Sequence, residues 1–236
     1  MYTDAEVQRQ YSNRYDSVLK VAESHLDQGR TLLDVGCGVG NFVRYAQSRG
    51  YAALGVDVDF TAVAAARVEG TPACTTLELD KEVPDESIDL ITMWDVVEHV
   101  GDPEDFVVRN VSKLRRGGLL VLETPDAAFP LRTLALVLHR LTHGQLDITR
   151  NLYYYEHKVY FTLKGLQTLL AGAGLKIIHS HRATSPREKM QRTFSHVAES
   201  GDLATRALAK AWPALETATR GVHLGNKLIV VALREA

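Results

Sequence analysis

Leu32-Leu33-Asp34-Val35-Gly36-Cys37-Gly38-Val39-Gly40-Asn41-Phe42 is a short apolar run that opens into a loop with glycine at alternate positions. A second apolar run, Leu54-Gly55-Val56-Asp57, ends in a carboxylate 23 residues after Asp34. A strand of this kind delivers the chain to the carboxyl edge of a parallel sheet. Glycines there let a ligand approach the backbone with no Cβ in the way. An acid at the tip of the next strand is placed to accept two hydrogen bonds from a ribose diol. Together they predict an α/β fold that handles a nucleotide.

The glycine spacing narrows the ligand. A dinucleotide fold wants G-x-G-x-x-G, so that a pyrophosphate rests on a helix N-terminus. Here Gly36, Gly38 and Gly40 run G-x-G-x-G, and Asn41 stands where that third glycine would be. Asp34, just before the loop, would repel a pyrophosphate and could pair with an ammonium group. The expected ligand is a nucleoside that carries a cation, and S-adenosylmethionine fits that description.

This loop resembles motif I of the class I S-adenosylmethionine-dependent methyltransferases, and the resemblance continues along the chain. Ile88-Asp89-Leu90-Ile91-Thr92-Met93 looks like their fourth strand. Trp94-Asp95-Val96-Val97-Glu98-His99-Val100 resembles the Glu-His signature of the branch that includes the ubiquinone-biosynthesis O-methyltransferases. Leu114 to Pro125, with Gly117-Gly118 inside it, looks like the turn into strand five. The match is close from Leu32 to Pro125 and loose from Glu156 to Ile178. It implies a Rossmann-like sheet of seven strands, mainly parallel with the last antiparallel, helices on both faces and helical lid insertions. It also implies cofactor contacts at Asp34, Gly36, Cys37, Gly38, Gly40, Asp57, Glu78, Leu79 and Trp94. Glu78 occupies the place where related enzymes often have an Asp next to adenine.

Composition sets limits. A chain of 236 residues with 45% hydrophobic and 24% charged content is ordinary for a globular protein with a substantial core. A net charge of −2 argues against bulk attraction to nucleic acid. The two cysteines, Cys37 and Cys74, suggest no disulfide framework. The Met-Tyr-Thr-Asp-Ala-Glu start has no basic region followed by an apolar core, and no apolar stretch reaches membrane-spanning length. The expected place is the cytoplasm, the expected partner a small-molecule acceptor.

Strands and helices alternate, which implies crossover helices between parallel strands. Strands are expected at Thr31–Val35, Ala52–Asp57, Ala73–Leu77, Asp89–Met93, Gly118–Thr124, Leu175–Ser180 and Lys227–Leu233. Asp102 followed by Pro103 reads as a helix start, with Phe106, Val107, Val111 and Leu114 on one face. Thr162 caps a second helix that closes at Gly172 and Gly174. One domain is expected over residues 1–236. Three segments exceed a minimal core: an N-terminal helix in residues 1–28 (Asp4 to Gln28, bearing Tyr11, Arg14 and Tyr15), and insertions at Phe129–His157 and Arg182–Gly221. Insertions at the carboxyl edge build the walls of the ligand crevice, so they should carry substrate choice.

Methyl transfer from a sulfonium is a direct displacement. The acceptor must be held in line and, if a hydroxyl, lose its proton. His99 is the candidate general base, because an imidazole can take a proton near neutral pH; a structural helix-start histidine is the competing reading. His157, in Tyr153-Tyr154-Tyr155-Glu156-His157-Lys158, is the second candidate, in a stretch that could equally be a wet surface loop. Tyr15, Tyr154 and His157 are the candidate substrate contacts. Asp95, Glu98 and His99 would share one face of a helix, a workable arrangement for a divalent cation, yet three ligands on one turn are too few and no metal is expected. Arg182, Arg187, Lys189 and Arg192 would suit an anionic acceptor or a solvated face. Leu134 to Leu138 would serve a membrane surface or a buried lid helix, the lid being preferred. The favoured activity is O-methylation of a small molecule. N-methylation of an amine or amino sugar, and a non-catalytic cofactor-binding protein, are the alternatives.

Overall fold

The computed structural model describes residues 5–26, 29–144, 153, 155–185 and 224–235, together with scattered positions between 206 and 218. Helix α1 (Ala5–Glu23) leads into β1 (Thr31–Val35), α2 (Asn41–Ser48), β2 (Ala52–Asp57), α3 (Phe60–Val68), β3 (Ala73–Thr75) and α4 (Leu79–Glu82). Strand β4 (Ile88–Trp94) is followed by a 3₁₀ turn (Val97–His99), α5 (Pro103–Val111), β5 (Leu114–Pro125) and α6 (Pro130–Leu141). The described part closes with α7 (Leu163–Gly172), β6 (Leu175–Ala183) and β7 (Lys227–Arg234). Helix α1 is shorter than expected, ending at Glu23. Strand β3 is also shorter, because the chain turns back at Glu78, whose carboxylate accepts from the Thr75 amide and hydroxyl at 2.8 and 3.0 Å.

The seven strands lie in the order β3-β2-β1-β4-β5-β7-β6. Strands β1 to β5 pair in parallel, and β7 runs antiparallel to both β5 and β6. This is the Rossmann-like arrangement expected. The strands alternate their side chains between two apolar layers, as a sheet covered on both faces must. Leu33, Val35, Ile91, Met93, Leu120 and Leu122 pack with Val107 of α5 and Leu166 and Leu170 of α7. Leu32, Leu90, Leu119 and Val121 pack with Leu19 of α1, Phe42 and Val43 of α2, and Val63 of α3. The predicted caps form: Asp102 accepts from the Asp105 amide at 3.1 Å and Thr162 from Gly165 at 3.1 Å. No described helix is long and apolar enough to cross a membrane.

Strand order reverses between β1 and β4, so the ligand crevice lies beyond their carboxyl ends. The first insertion supplies α6, whose Leu131 and Ala135 are buried while Leu134, Val137 and Leu141 face outward. Helix α6 therefore buries one face and exposes the other, where a buried helix was expected for Leu134 to Leu138. Tyr154 and, in the second insertion, Arg187, Lys189 and Arg192 lie outside the described residues.

Gly55, in the middle of β2, backs onto the glycine loop. A Cβ there would stand 2.6 Å from the Cys37 sulfur and 2.7 Å from its Cβ. Gly55→Ala should therefore destabilise the chain by about 1–3 kcal/mol, the usual cost of overpacking. The urea midpoint measures this, and Cys37→Ala in the same background should recover part of the loss. A second substitution that recovers nothing would show that the strain lies elsewhere.

Candidate active site

The glycine loop is held by backbone bonds that leave one side open. The Gly36 and Cys37 amides donate to the Val56 carbonyl at 2.7 and 3.1 Å, and Gly40 donates to Cys37 at 2.9 Å. Gly36 has φ 78°, and a Cβ there would sit 2.4 Å from Val96, so the turn requires glycine. At Gly38 a Cβ would meet nothing within 4 Å, which leaves space over that residue. Cys37 is buried between loop and sheet, and burial pushes its thiol up to about 12, so it is no nucleophile.

Asp57 organises the loop from the neighbouring strand. Its carboxylate accepts from the Gly38 amide at 2.7 Å and from the Asp59 amide at 2.9 Å. Asp59 is spent on capping α3, accepting from Thr61 at 2.8 Å. Asp57 is thus the acid at the strand tip and Asp59 the cap. Asp34 accepts from the Thr92 hydroxyl at 2.7 Å, because β1 and β4 place the two residues in register, while the Gly38 amide is taken by Asp57. Burial pushes the Asp34 carboxyl up to about 7, against the Thr92 bond, which favours its ionised form, and with Asp57 nearby adding to the rise.

Glu78 is committed to the Thr75 contacts and to Arg67 at 2.8 Å, which holds its carboxyl below the usual range. Leu79 is buried in the core. Val58, Phe60 and Leu77, 81%, 75% and 90% exposed, are exposed apolar side chains just past β2 and β3. The sequence reading singled out none of them; for Val58 the available signal was an apolar residue directly after the strand-end acid Asp57.

Helix α1 crosses the same edge. Tyr15 packs its ring on Phe42 at 4.7 Å and Trp94 at 4.9 Å. Burial, then the Asp34 and Glu123 charges, push its phenol far up, so it stays protonated. Trp94 Nε1 is buried with no hydrogen-bond partner among the described residues. Arg14 pairs with Glu123 at the end of β5, 2.7 Å away, and donates to the Thr184 carbonyl at 3.0 Å.

The residues after β4 do not form the α-helix expected for 95–99. Asp95 turns left-handed with φ 55°, and a single 3₁₀ turn follows. The Glu98 carbonyl accepts from the Lys158 and Val159 amides at 2.8 and 3.2 Å, which brings the exit of the first insertion alongside. His157 consequently stands by His99, their rings 4.6 Å apart and edge-on. One carboxylate oxygen of Glu98 and one ring nitrogen of each histidine lie within 4.8 Å of one another. Asp95 is replaced in this set by His157, because the Lys227 ammonium holds its carboxylate instead.

Tautomers follow from partners. His99 Nδ1 lies 3.3 Å from the Glu156 carbonyl, which can only accept, so Nδ1 carries a proton, and in the neutral ring the lone pair is then on Nε2. His157 Nδ1 is 3.0 Å from the Tyr160 hydroxyl. Burial first, then His99 and Lys227, push His157 down to about 4. Glu98 is pushed up to about 8 by burial and by Asp95, while Lys227 and the Thr124 hydroxyl oppose this. Beyond His157, the Arg132 guanidinium stacks on Tyr160 at 4.7 Å, and Arg182 pairs with buried Asp126 at 2.6 Å.

The chain matches a model described as a methyltransferase domain over residues 5–180. A ubiquinone biosynthesis O-methyltransferase from Bradyrhizobium sp. (strain ORS 278) is 33% identical over 116 residues, 46% of this chain and 45% of that protein. One from Parvibaculum lavamentivorans (strain DS-1) is 28% identical over 152 residues, 61% of this chain and 58% of the other. The chain thus spans about half the length of these relatives. Among solved structures, an S-adenosylmethionine-dependent methyltransferase from Mesorhizobium loti aligns with a TM-score of 0.59 and 20% identity, covering 92% of this chain and 96% of that one. Magnesium protoporphyrin IX methyltransferase from Synechocystis PCC 6803, with bound S-adenosylhomocysteine, gives 0.59 and 15%, covering 100% and 88%; at such identities these two speak for the fold. By its motifs, sheet order and the extent of the family match, the chain belongs to the methyltransferase-domain family.

Proposed function

We propose that this chain transfers the sulfonium methyl of S-adenosylmethionine to a hydroxyl oxygen of a small molecule. The observation that carries the oxygen reading is the His99 tautomer. With Nδ1 donated to the Glu156 carbonyl, Nε2 is left as a proton acceptor at the mouth of β4. His157 is the poorer base, since a group pushed down to about 4 gives little driving force at neutral pH. In the step, the acceptor oxygen forms a bond to the methyl carbon as the carbon–sulfur bond breaks. That bond's electrons stay on sulfur, giving the neutral thioether, and the hydroxyl proton passes to His99 Nε2. Asp57 has lone pairs left for the ribose diol, Val58 and Leu77 offer apolar surface for the adenine, and Asp34 answers the ammonium. Tyr15 and α1 cover the cofactor from above.

A second reading of the same site rests on one atom. Glu98 Oε1 is buried with no partner among the described residues, beside two histidine nitrogens, and buried polar atoms are seldom left so. Glu98, His99 and His157 would fit a divalent cation, with the Glu156 carbonyl orienting His99 as an outer partner. Such an ion would supply Lewis-acid lowering of the acceptor hydroxyl's pKa.

Removal of Asp57's charged acceptor should weaken binding of S-adenosylhomocysteine by about 2–4 kcal/mol. Calorimetry on Asp57→Ala measures it, and unchanged affinity would remove Asp57 from the site. Asp34 makes a separate prediction. Below about pH 7 its carboxyl holds a proton in the free chain, and a bound ammonium favours the ionised form. Cofactor binding at about pH 6 should therefore release close to one proton, seen as a dependence of binding enthalpy on buffer. Asp34→Asn should abolish that release; a release that persists assigns the proton to another group.

For His99→Ala, turnover on a hydroxyl acceptor should fall by roughly 10²–10⁴ with cofactor affinity nearly intact. Release of S-adenosylhomocysteine across a metabolite panel provides the assay. The ascending limb of the wild-type pH profile should vanish in the variant. Turnover that survives on an amine but not a hydroxyl acceptor would transfer the assignment to N-methylation.

A further inference from the structure

Lys227 opens β7, the strand that runs against all the others, so its first residue falls at the carboxyl edge where the parallel strands end. It sits opposite Pro125 of β5 and Ala183 of β6. Its side chain is 8% exposed, and its ammonium bonds Asp95. Asp95 is held for this contact from its own side as well, by its left-handed turn and by its amide's bond to the Glu123 carbonyl at 3.0 Å. A buried ammonium without an anion is costly. Asp95 therefore cannot swing toward Glu98 and the two histidines without leaving Lys227 buried and unpaired, next to an incoming divalent charge.

We propose that Lys227 is a positioning residue that keeps the Asp95 carboxylate out of a cation site formed by Glu98, His99 and His157. The inference rests on the second reading above, that these three hold a divalent ion. Its consequence is selectivity. Two imidazoles and one carboxylate suit a borderline ion such as Zn²⁺, whereas each added carboxylate moves a site toward harder ions such as Mg²⁺. The ammonium also opposes a doubly charged ion through space, so the site accepts a cation only weakly unless its donors bind strongly.

Titration of the metal-free full chain with Zn²⁺ and, separately, Mg²⁺ by calorimetry tests this without reference to turnover. Lys227→Met releases Asp95 and removes the repulsion, so both ions should bind about tenfold tighter or more, with the larger gain for Mg²⁺. The double variant Lys227→Met, Asp95→Asn removes a neutral pair and should return to within about threefold of the wild type. If the double variant instead binds Zn²⁺ tenfold or more weaker than the wild type, Asp95 is already a ligand and the proposal is wrong. Equal affinities in wild type and Lys227→Met also overturn it. Lys227→Gln, with the same expectations and a thermal-unfolding control, guards against misfolding of the methionine variant. If no protein in the series binds either ion, this inference and the cation reading fail together, while His99 as base stands or falls on its pH profile.

Discussion

The carboxylate of Asp57 holds two turns at once. One oxygen accepts from Gly38 in the glycine loop and the other from Asp59 at the start of α3. The open face of the loop and the strand tip that answers it are thereby fixed to each other before any ligand arrives. Such preorganisation lowers the ordering cost of binding. It also explains why the glycines matter as geometry: at Gly36 a side chain would strike Val96, and at Gly38 it would enter the space the loop leaves open. The cofactor half of the site thus depends on short bonds between neighbouring strands in register.

The edge beyond β4 is assembled differently. Its residues come from β4's exit, from the end of the first insertion and from β7, and they meet through the Glu98 carbonyl, which anchors Lys158 and Val159. Long-range pairs then bind the edge together: Arg14 with Glu123, Arg182 with Asp126 and Lys227 with Asp95. Each has at least one buried partner, and such pairs add little net stability, because desolvation offsets most of their attraction. What they fix is position. They join α1, the edge strand β6 and the reversed strand β7 to the carboxyl ends of central strands.

This difference decides what could be read from the sequence. The fold was legible because apolar strands separated by capped helices have a strong local pattern, and the caps at Asp102 and Thr162 formed as read. The glycine turn and the acid that holds it were legible for the same reason: Gly36, Gly38 and Asp57 lie on consecutive elements. Glu98 and His99 were legible as a motif and wrong as a helix. The left-handed Asp95 depends on β5 and Lys227, and nothing local encodes it. His157 was noticed without its partner, since 58 positions of sequence separate it from His99. Lys227 was passed over as the first residue of a strand, although an antiparallel last strand must start where the others finish.

The three groups gathered after β4 also limit one another. Glu98 rises because it is buried near Asp95, and Lys227, by holding Asp95, works in the opposite direction on both Glu98 and His157. His157 is kept neutral by its burial and by the cationic neighbour; His99 has its Nδ1 proton committed to a backbone carbonyl. The resulting edge presents ring nitrogens of two histidines beside a carboxyl that burial makes reluctant to give up its proton. That arrangement favours a borderline cation over a bulk negative charge.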